Sequence, residues 1–277
     1  MRTSLVAIPT DTIPLDGAWY EPEGAAKGAV LLFHGNTMNF YVGAPRFLPP
    51  VLTRLGLACL AFNRRGHDIM STFNSRIAVG GAYQSTAEAI ADNRIAAQWL
   101  VARGFADPVV IGHSNGGMLG VRHVVDHPRT PALVLLSAGR GGTRFASGGP
   151  EHLFAGDRQE EFTVQAREMV KAGRGKDLML IPGWWYVITA ESFLDRIVSV
   201  PDTLALAPQV KCPVLTLRGD KEDGHRYPVN EFQKLAGGPC KAEVVPDCDH
   251  FYNGREEQVA DIVSQWLVQT LGLGPAA

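Results

Sequence analysis

The sequence predicts an α/β protein: a mostly parallel central sheet with helices on both faces and a helical cap insertion. Two observations carry this. Near-continuous apolar runs of strand length recur at Ala29–Phe33, Ala58–Phe62, Val109–Ile111, Leu133–Leu136 and Val214–Leu217, as strands buried on both faces require. Helix-length segments lie between them, and strand–helix alternation points to parallel pairing through crossovers.

In chain order, Leu5–Ile8 and Ala18–Tyr20 read as short strands separated by Pro9, Pro14 and Asp16-Gly17, an antiparallel edge ahead of the main sheet. Phe47–Leu55, Ser85–Arg103 and Gly116–Val125 read as helices; the second places Ala89, Ile90, Ile95, Ala96, Trp99 and Leu100 at helical spacing. The alternation stops after Gly139 and resumes near Pro213, too long a gap for a simple connection. Within it, Gln159–Ala172 and Ala190–Ile197 are helical stretches, with Gly183-Trp-Trp-Tyr186 between them. Residues 1–139 and 209–277 are therefore expected to form the core domain, and residues 140–208 a mostly helical cap. Ala242–Pro246 reads as the last strand and Gln258–Leu271 as a closing amphipathic helix.

Composition narrows the function. Apolar residues make up 45% and charged residues 19% of the 277, an ordinary globular balance. With 26 basic against 28 acidic residues, no net positive field draws in nucleic acid or an anionic membrane. The apolar runs are far below the ~20 residues that span a bilayer. The N-terminus, with one Arg and a short apolar run before Pro9, lacks the pattern of a signal peptide, so a cytoplasmic protein is expected. Cys59, Cys212, Cys240 and Cys248 form no CxxC pair and read as free thiols. A small-molecule substrate is the expected partner, with no nucleic acid and no membrane.

The most informative stretch is Val109-Val-Ile-Gly-His-Ser-Asn-Gly-Gly117. An apolar strand runs into Gly112-x-Ser114-x-Gly116 and then a small-residue helix, the context of a nucleophile elbow. A serine on such a turn stands clear of the sheet, and the backbone N–H of Asn115 points at a developing oxyanion. A dinucleotide loop is disfavoured because Ser114 stands where the middle glycine of GxGxxG belongs. Gly173-Arg-Gly-Lys176 likewise fails the phosphate-loop spacing. At the end of the first long parallel strand, His34-Gly35-Asn36 supplies a second amide, that of Asn36, for an oxyanion hole; His34 itself reads as structural, as does His113.

A serine nucleophile needs a base, and the base an orienting carboxylate. His250, in Asp247-Cys-Asp-His-Phe-Tyr252 before the closing helix, is the expected base. His67, His123, His127, His152 and His225 read as loop or helix-end residues facing solvent. Glu222, Asp223 and Asp220, in the turn after Val214–Gly219, each satisfy the demand for an acid. Trp184, Trp185 and Tyr186 read either as walls of an acyl pocket or as packing between cap and body. Arg140 and Arg144, just past a strand end, could meet a substrate carboxylate but read better as solvated surface charge.

These residues, in this order, resemble the α/β-hydrolase superfamily from Leu5 to Leu271. The resemblance implies Ser114 as nucleophile, His250 as base, Asn36 and Asn115 as oxyanion-hole amides, and no metal or organic cofactor. It places the acid three residues after the strand-ending glycine, at Glu222, with the more common Asp one step later at Asp223. The implied activity is that of a serine esterase, hydrolysis of a small-molecule carboxylic ester through an acyl-enzyme. A C–C bond hydrolase, a thioesterase and a non-catalytic binding protein on the same fold are the alternatives.

Overall fold

The structure, a computed structural model, describes residues 1–36, 38–67, 80–142, 158–181 and 186–274. The chain opens with β1 (Arg2–Ile8) and β2 (Leu15–Glu21), then β3 (Gly28–Phe33), short helices α1 (Ala44–Phe47) and α2 (Pro49–Arg54), and β4 (Leu57–Phe62). The single helix expected over Phe47–Leu55 is divided because Pro49 and Pro50 start a new helix, where a missing N–H costs nothing. Helix α3 (Thr86–Val101) follows, begun by a capping box: Ser85 Oγ accepts from the Glu88 N–H, and Glu88 accepts from the Ser85 N–H at 2.8 Å. Next come β5 (Val109–His113), α4 (Asn115–Asp126) and β6 (Leu133–Leu136).

The insertion contributes α5 (Gln159–Lys171), β7 (Leu178–Ile181), β8 (Tyr186–Thr189) and α6 (Ala190–Ser199). The expectation of a mostly helical insertion therefore misses a hairpin. Along β7, Leu178 and Leu180 are exposed while Met179 and Ile181 are buried; all four are apolar, so the period of two is invisible in the sequence. Phe162, Met179, Ile181, Ile188, Phe193 and Ile197 form a separate small core. Hydrogen bonds tie it to the body, among them Thr189 N–H to Ala82 O at 2.9 Å, Thr86 N–H to Asp195 Oδ2 at 2.6 Å, and Arg196 Nη2 to Gly81 O at 2.5 Å. The chain leaves and re-enters the body at one neck, where Gly142 N–H donates to Val200 O at 3.0 Å and Thr203 N–H to Arg140 O at 2.8 Å.

The body resumes with α7 (Thr203–Leu206), β9 (Val214–Gly219), α8 (Val229–Leu235), β10 (Cys240–Val245) and α9 (Glu256–Leu271). Eight strands form one sheet in the order β1-β2-β4-β3-β5-β6-β9-β10. β2 runs antiparallel to both neighbours, and from β4 onward every pairing is parallel. Alternation along β3 divides the core: Val30 and Leu32 join Leu52, Val263 and Trp266 on one face, while Leu31 and Phe33 join Ala96, Leu100, Val121 and Phe232 on the other. Both faces are covered, which is why the strands read as unbroken apolar runs.

Two histidines expected to face solvent do not: His123 is buried and His67 half-buried. His123, on α4, packs its ring edge-on against Phe33 with centroids 5.4 Å apart. His67 lies against His34 at 4.8 Å. His127 and His225 are exposed as expected, and His152 lies outside the described residues. Burial is the first cause holding His34 well below the ordinary 6.5, His67 and His123 at about 3, and His113 at about 4. The unfolded chain takes up these protons near pH 6.5 and the folded chain does not, so stability is complete above that pH and falls as pH drops toward 4. Urea melts at pH 7, 6 and 5 should show this decline, and His123→Phe should flatten it; a pH-independent midpoint over that range contradicts these burials.

Candidate active site

The site begins with a steric constraint. A Cβ on Gly112 would stand 2.3 Å from Gly116 O, and one on Gly116 would stand 2.2 Å from Phe33 O and 2.6 Å from His34 O. The first turn of α4 thus lies directly on the end of β3. Ser114, at the bend, is forced to φ 56° and ψ −122°, outside the comfortable range of a residue with a side chain. Its N–H is held by Leu136 O at 2.8 Å.

On the other side of Ser114 lies the turn after β3. A Cβ on Gly35 would sit 3.0 Å from Ser114 Cβ and 2.8 Å from Met38 Sδ. Asn36 stands in this turn and Asn115 is the first residue of α4, where N–H groups have no partner within the helix. The two chain segments that carry these amides therefore meet at Ser114. The turn is held from below: His34 Nδ1–H donates to Gly35 O at 2.7 Å, and Nε2 accepts the Arg64 N–H at 3.1 Å. The fully buried Arg64 guanidinium donates to His34 O at 2.8 Å. Its neighbour Arg65 pairs with buried Asp92 at 2.8 Å, fixing this loop to α3.

His250 reaches the site from the loop after β10. Its Nε2 lies 3.1 Å from Ser114 Oγ, and its Nδ1 lies 2.7 Å from Glu222 Oε1. Of the three carboxylates expected as alternatives, Glu222 alone meets the imidazole. Asp223 is exposed and accepts the His225 N–H at 2.7 Å. Asp220 braces the backbone instead. Its Oδ2 accepts the Asp247 N–H at 2.9 Å and its Oδ1 the Cys248 N–H at 3.0 Å, tying the His250 loop to the end of β9. Those amides, Cys248 first, hold the Asp220 carboxyl below its usual range.

Glu222 is nearly enclosed, its side chain 3% exposed against 23% for His250. Its second oxygen accepts the Gly219 N–H at 2.7 Å and the Ser137 hydroxyl at 2.6 Å. His113, buried under the elbow, donates Nε2–H to His250 O at 2.8 Å; with a pKa near 4 it is neutral at ordinary pH. Tyr227 packs its ring against His250, centroids 5.0 Å apart. Nothing in the local sequence pattern singles out Tyr227, Tyr252 or Arg64; for Ser137 the one available signal is a serine ending the apolar run Leu133–Leu136. Trp184 and Trp185 lie outside the described residues, as does Arg144, while Tyr186 is placed by its backbone as the first residue of β8. Arg140 lies 3.7 Å from Glu231. Among the described residues no group of His, Cys, Asp and Glu is arranged to hold a metal ion, and no helix is long and apolar enough to cross a membrane.

Residues 30–262 match the model of the Alpha/beta hydrolase family. The chain belongs to this family. It is thus a hydrolase by family, and solved structures similar to it share the fold. Est1E from Butyrivibrio proteoclasticus superposes with a TM-score of 0.69 at 16% identity, over 97% of this chain and 99% of that one. The alpha/beta hydrolase GrgF from Penicillium sp. gives 0.73 at 13% identity, over 99% and 100%. A dienelactone hydrolase from Anabaena variabilis gives 0.61 at 17% identity, over 97% of each chain. No curated protein matches the sequence significantly.

Two outcomes follow from the packing around Ser114. Gly116→Ala must push α4 off β3 and should abolish the folded protein or lower Tm sharply. Gly120→Ala, one turn on, places its Cβ at an ordinary 3.5 Å from Val110 Cγ1; it should be neutral or stabilising by up to ~1 kcal/mol through helix propensity. Equal melting of the two variants contradicts the close approach. Asp220→Ala should release the Asp247 and Cys248 amides, read as faster deuterium uptake in peptides covering residues 245–250; unchanged uptake means the loop is held by other contacts.

Proposed function

We propose that the chain is a serine hydrolase that cleaves a small-molecule carboxylic ester through an acyl-enzyme. The observation that carries this reading is the unbroken hydrogen-bonded line from Ser114 Oγ through the His250 ring to Glu222 Oε1, at 3.1 and 2.7 Å. A carboxylate at Nδ1 fixes the tautomer with its proton on that nitrogen, which leaves Nε2 free to accept the serine proton. In this reading Ser114 attacks the ester carbonyl as His250 takes its proton. The oxyanion is received by the amides of Asn115 and Asn36, on the two segments that meet at Ser114. His250 then protonates the leaving alkoxide, and a water molecule, deprotonated by the same imidazole, releases the acid.

An ester is favoured over an amide because the alkoxide leaves more readily. Solved structures with this fold are of the same kind: an esterase domain from a Rhodothermus marinus protein, a dienelactone hydrolase, and Est1E with ferulic acid bound.

The test is a pair of measurements on purified protein. A fluorophosphonate should label Ser114, and p-nitrophenyl esters of graded chain length should be hydrolysed. Ser114→Ala should lose turnover by about 10⁴- to 10⁶-fold with Tm unchanged. Glu222→Gln should lose about 10³- to 10⁴-fold, whereas Asp223→Asn stays near wild type. Near-native turnover in Ser114→Ala, or absence of labelling in the wild type, overturns the assignment.

A further inference from the structure

Among the described residues, four other than glycine have positive φ: Ser114, Ser137, Asp247 and Tyr252. Such backbone persists only where surrounding contacts over-determine it, and it gathers at functional sites. Asp247 belongs to the loop tied by Asp220. The other three share one line of hydrogen bonds. Ser137, at φ 46° and fully buried, is held at the end of β6 by its N–H on Leu217 O at 2.8 Å. Its Oγ lies 2.6 Å from Glu222 Oε2 and 2.8 Å from the hydroxyl of fully buried Tyr252.

Proton accounting orders this line. The carboxylate only accepts, so the Ser137 hydroxyl donates to Glu222 and must accept from Tyr252. Burial is the first cause raising the Tyr252 phenol well above its ordinary value, so it keeps the proton it donates. Glu222 Oε2 is then held by two donors, Ser137 and the Gly219 N–H, and Oε1 alone faces His250. We infer that Ser137 and Tyr252 are positioning residues that extend the Ser114–His250–Glu222 line to five members, with Tyr252 acting only through Ser137. The inference rests on the proposed serine-hydrolase reading, in which the orientation of Glu222 governs that of His250.

A double-mutant cycle with one additional variant tests it, read by kcat and KM on a p-nitrophenyl ester, by the rate of fluorophosphonate labelling, and by Tm. Ser137→Ala removes one hydrogen bond to a charged acceptor and should lower kcat and the labelling rate about ten- to a hundredfold with KM little changed. Tyr252→Phe keeps the ring and should cost less in the wild-type background. In the Ser137→Ala background it should cost nothing further, because its hydrogen-bonded route to Glu222 is gone. Ser137→Gly relieves the strained backbone yet lacks the hydroxyl. It should lose activity like Ser137→Ala while Tm holds better, an outcome that a purely structural serine does not produce. Wild-type rates in Ser137→Gly, or additive losses of Tyr252→Phe in both backgrounds, overturn the relay. If the wild type is neither labelled nor active, the serine-hydrolase reading falls and the relay with it; labelled wild type with unaffected Ser137 variants removes the relay alone.

Discussion

Everything at the site hangs on one close approach, that of α4 to the end of β3. Hydrogen atoms at Gly112 and Gly116 let the helix start almost in contact with Phe33 O and His34 O, and Ser114 takes the strained bend that results. The same approach sets the turn after β3 against Ser114, where a Cβ on Gly35 would stand only 3.0 Å from Ser114 Cβ. Arg64 then reaches up from the end of β4 and binds the carbonyls of His34 and Gly35 at 2.8 and 3.4 Å. Backbone carbonyls thus point down toward a buried cation, which leaves the other side of the turn to its amides. Position is fixed here by strands and their immediate ends, which move less than long loops do.

The carboxylate obeys a second constraint. Desolvating an ion costs several kcal/mol unless its lone pairs are met, and Glu222 is met on every side by a histidine, a serine and a backbone amide. Its neighbours Asp220 and Asp223 escape the cost by staying at the surface, and each is engaged by backbone amides nearby. Three carboxylates within four residues therefore have three fates, decided by where the turn after β9 points them.

The sequence carried the sheet well because a strand buried on both faces needs an unbroken apolar run, and such runs admit few other readings. Ser114 and His250 were legible for a related reason: glycines at the elbow are a steric necessity, and the histidine stands alone between the last strand and the last helix. Which of three carboxylates meets His250 is not legible, because one step in a turn reverses a side chain and no composition records that reversal. The hairpin of β7 and β8 was hidden by apolar residues on its outer face. Buried histidines escaped notice because their residue type is at home inside and outside; His123 is set inward only by the pitch of α4 against Phe33. Ser137 and Tyr252 meet across 115 residues of chain, a distance over which local pattern is silent.

The neck of the insertion gives the molecule a modular build. The chain departs and returns within hydrogen-bonding distance, at Gly142 with Val200 and at Arg140 with Thr203, and the described residues between them include a small core of their own. Closing a loop across so narrow a gap costs conformational entropy that rises only slowly with length. The segment between those anchors is thus free to lengthen, shrink or be exchanged for an unrelated one without disturbing strand register on either side.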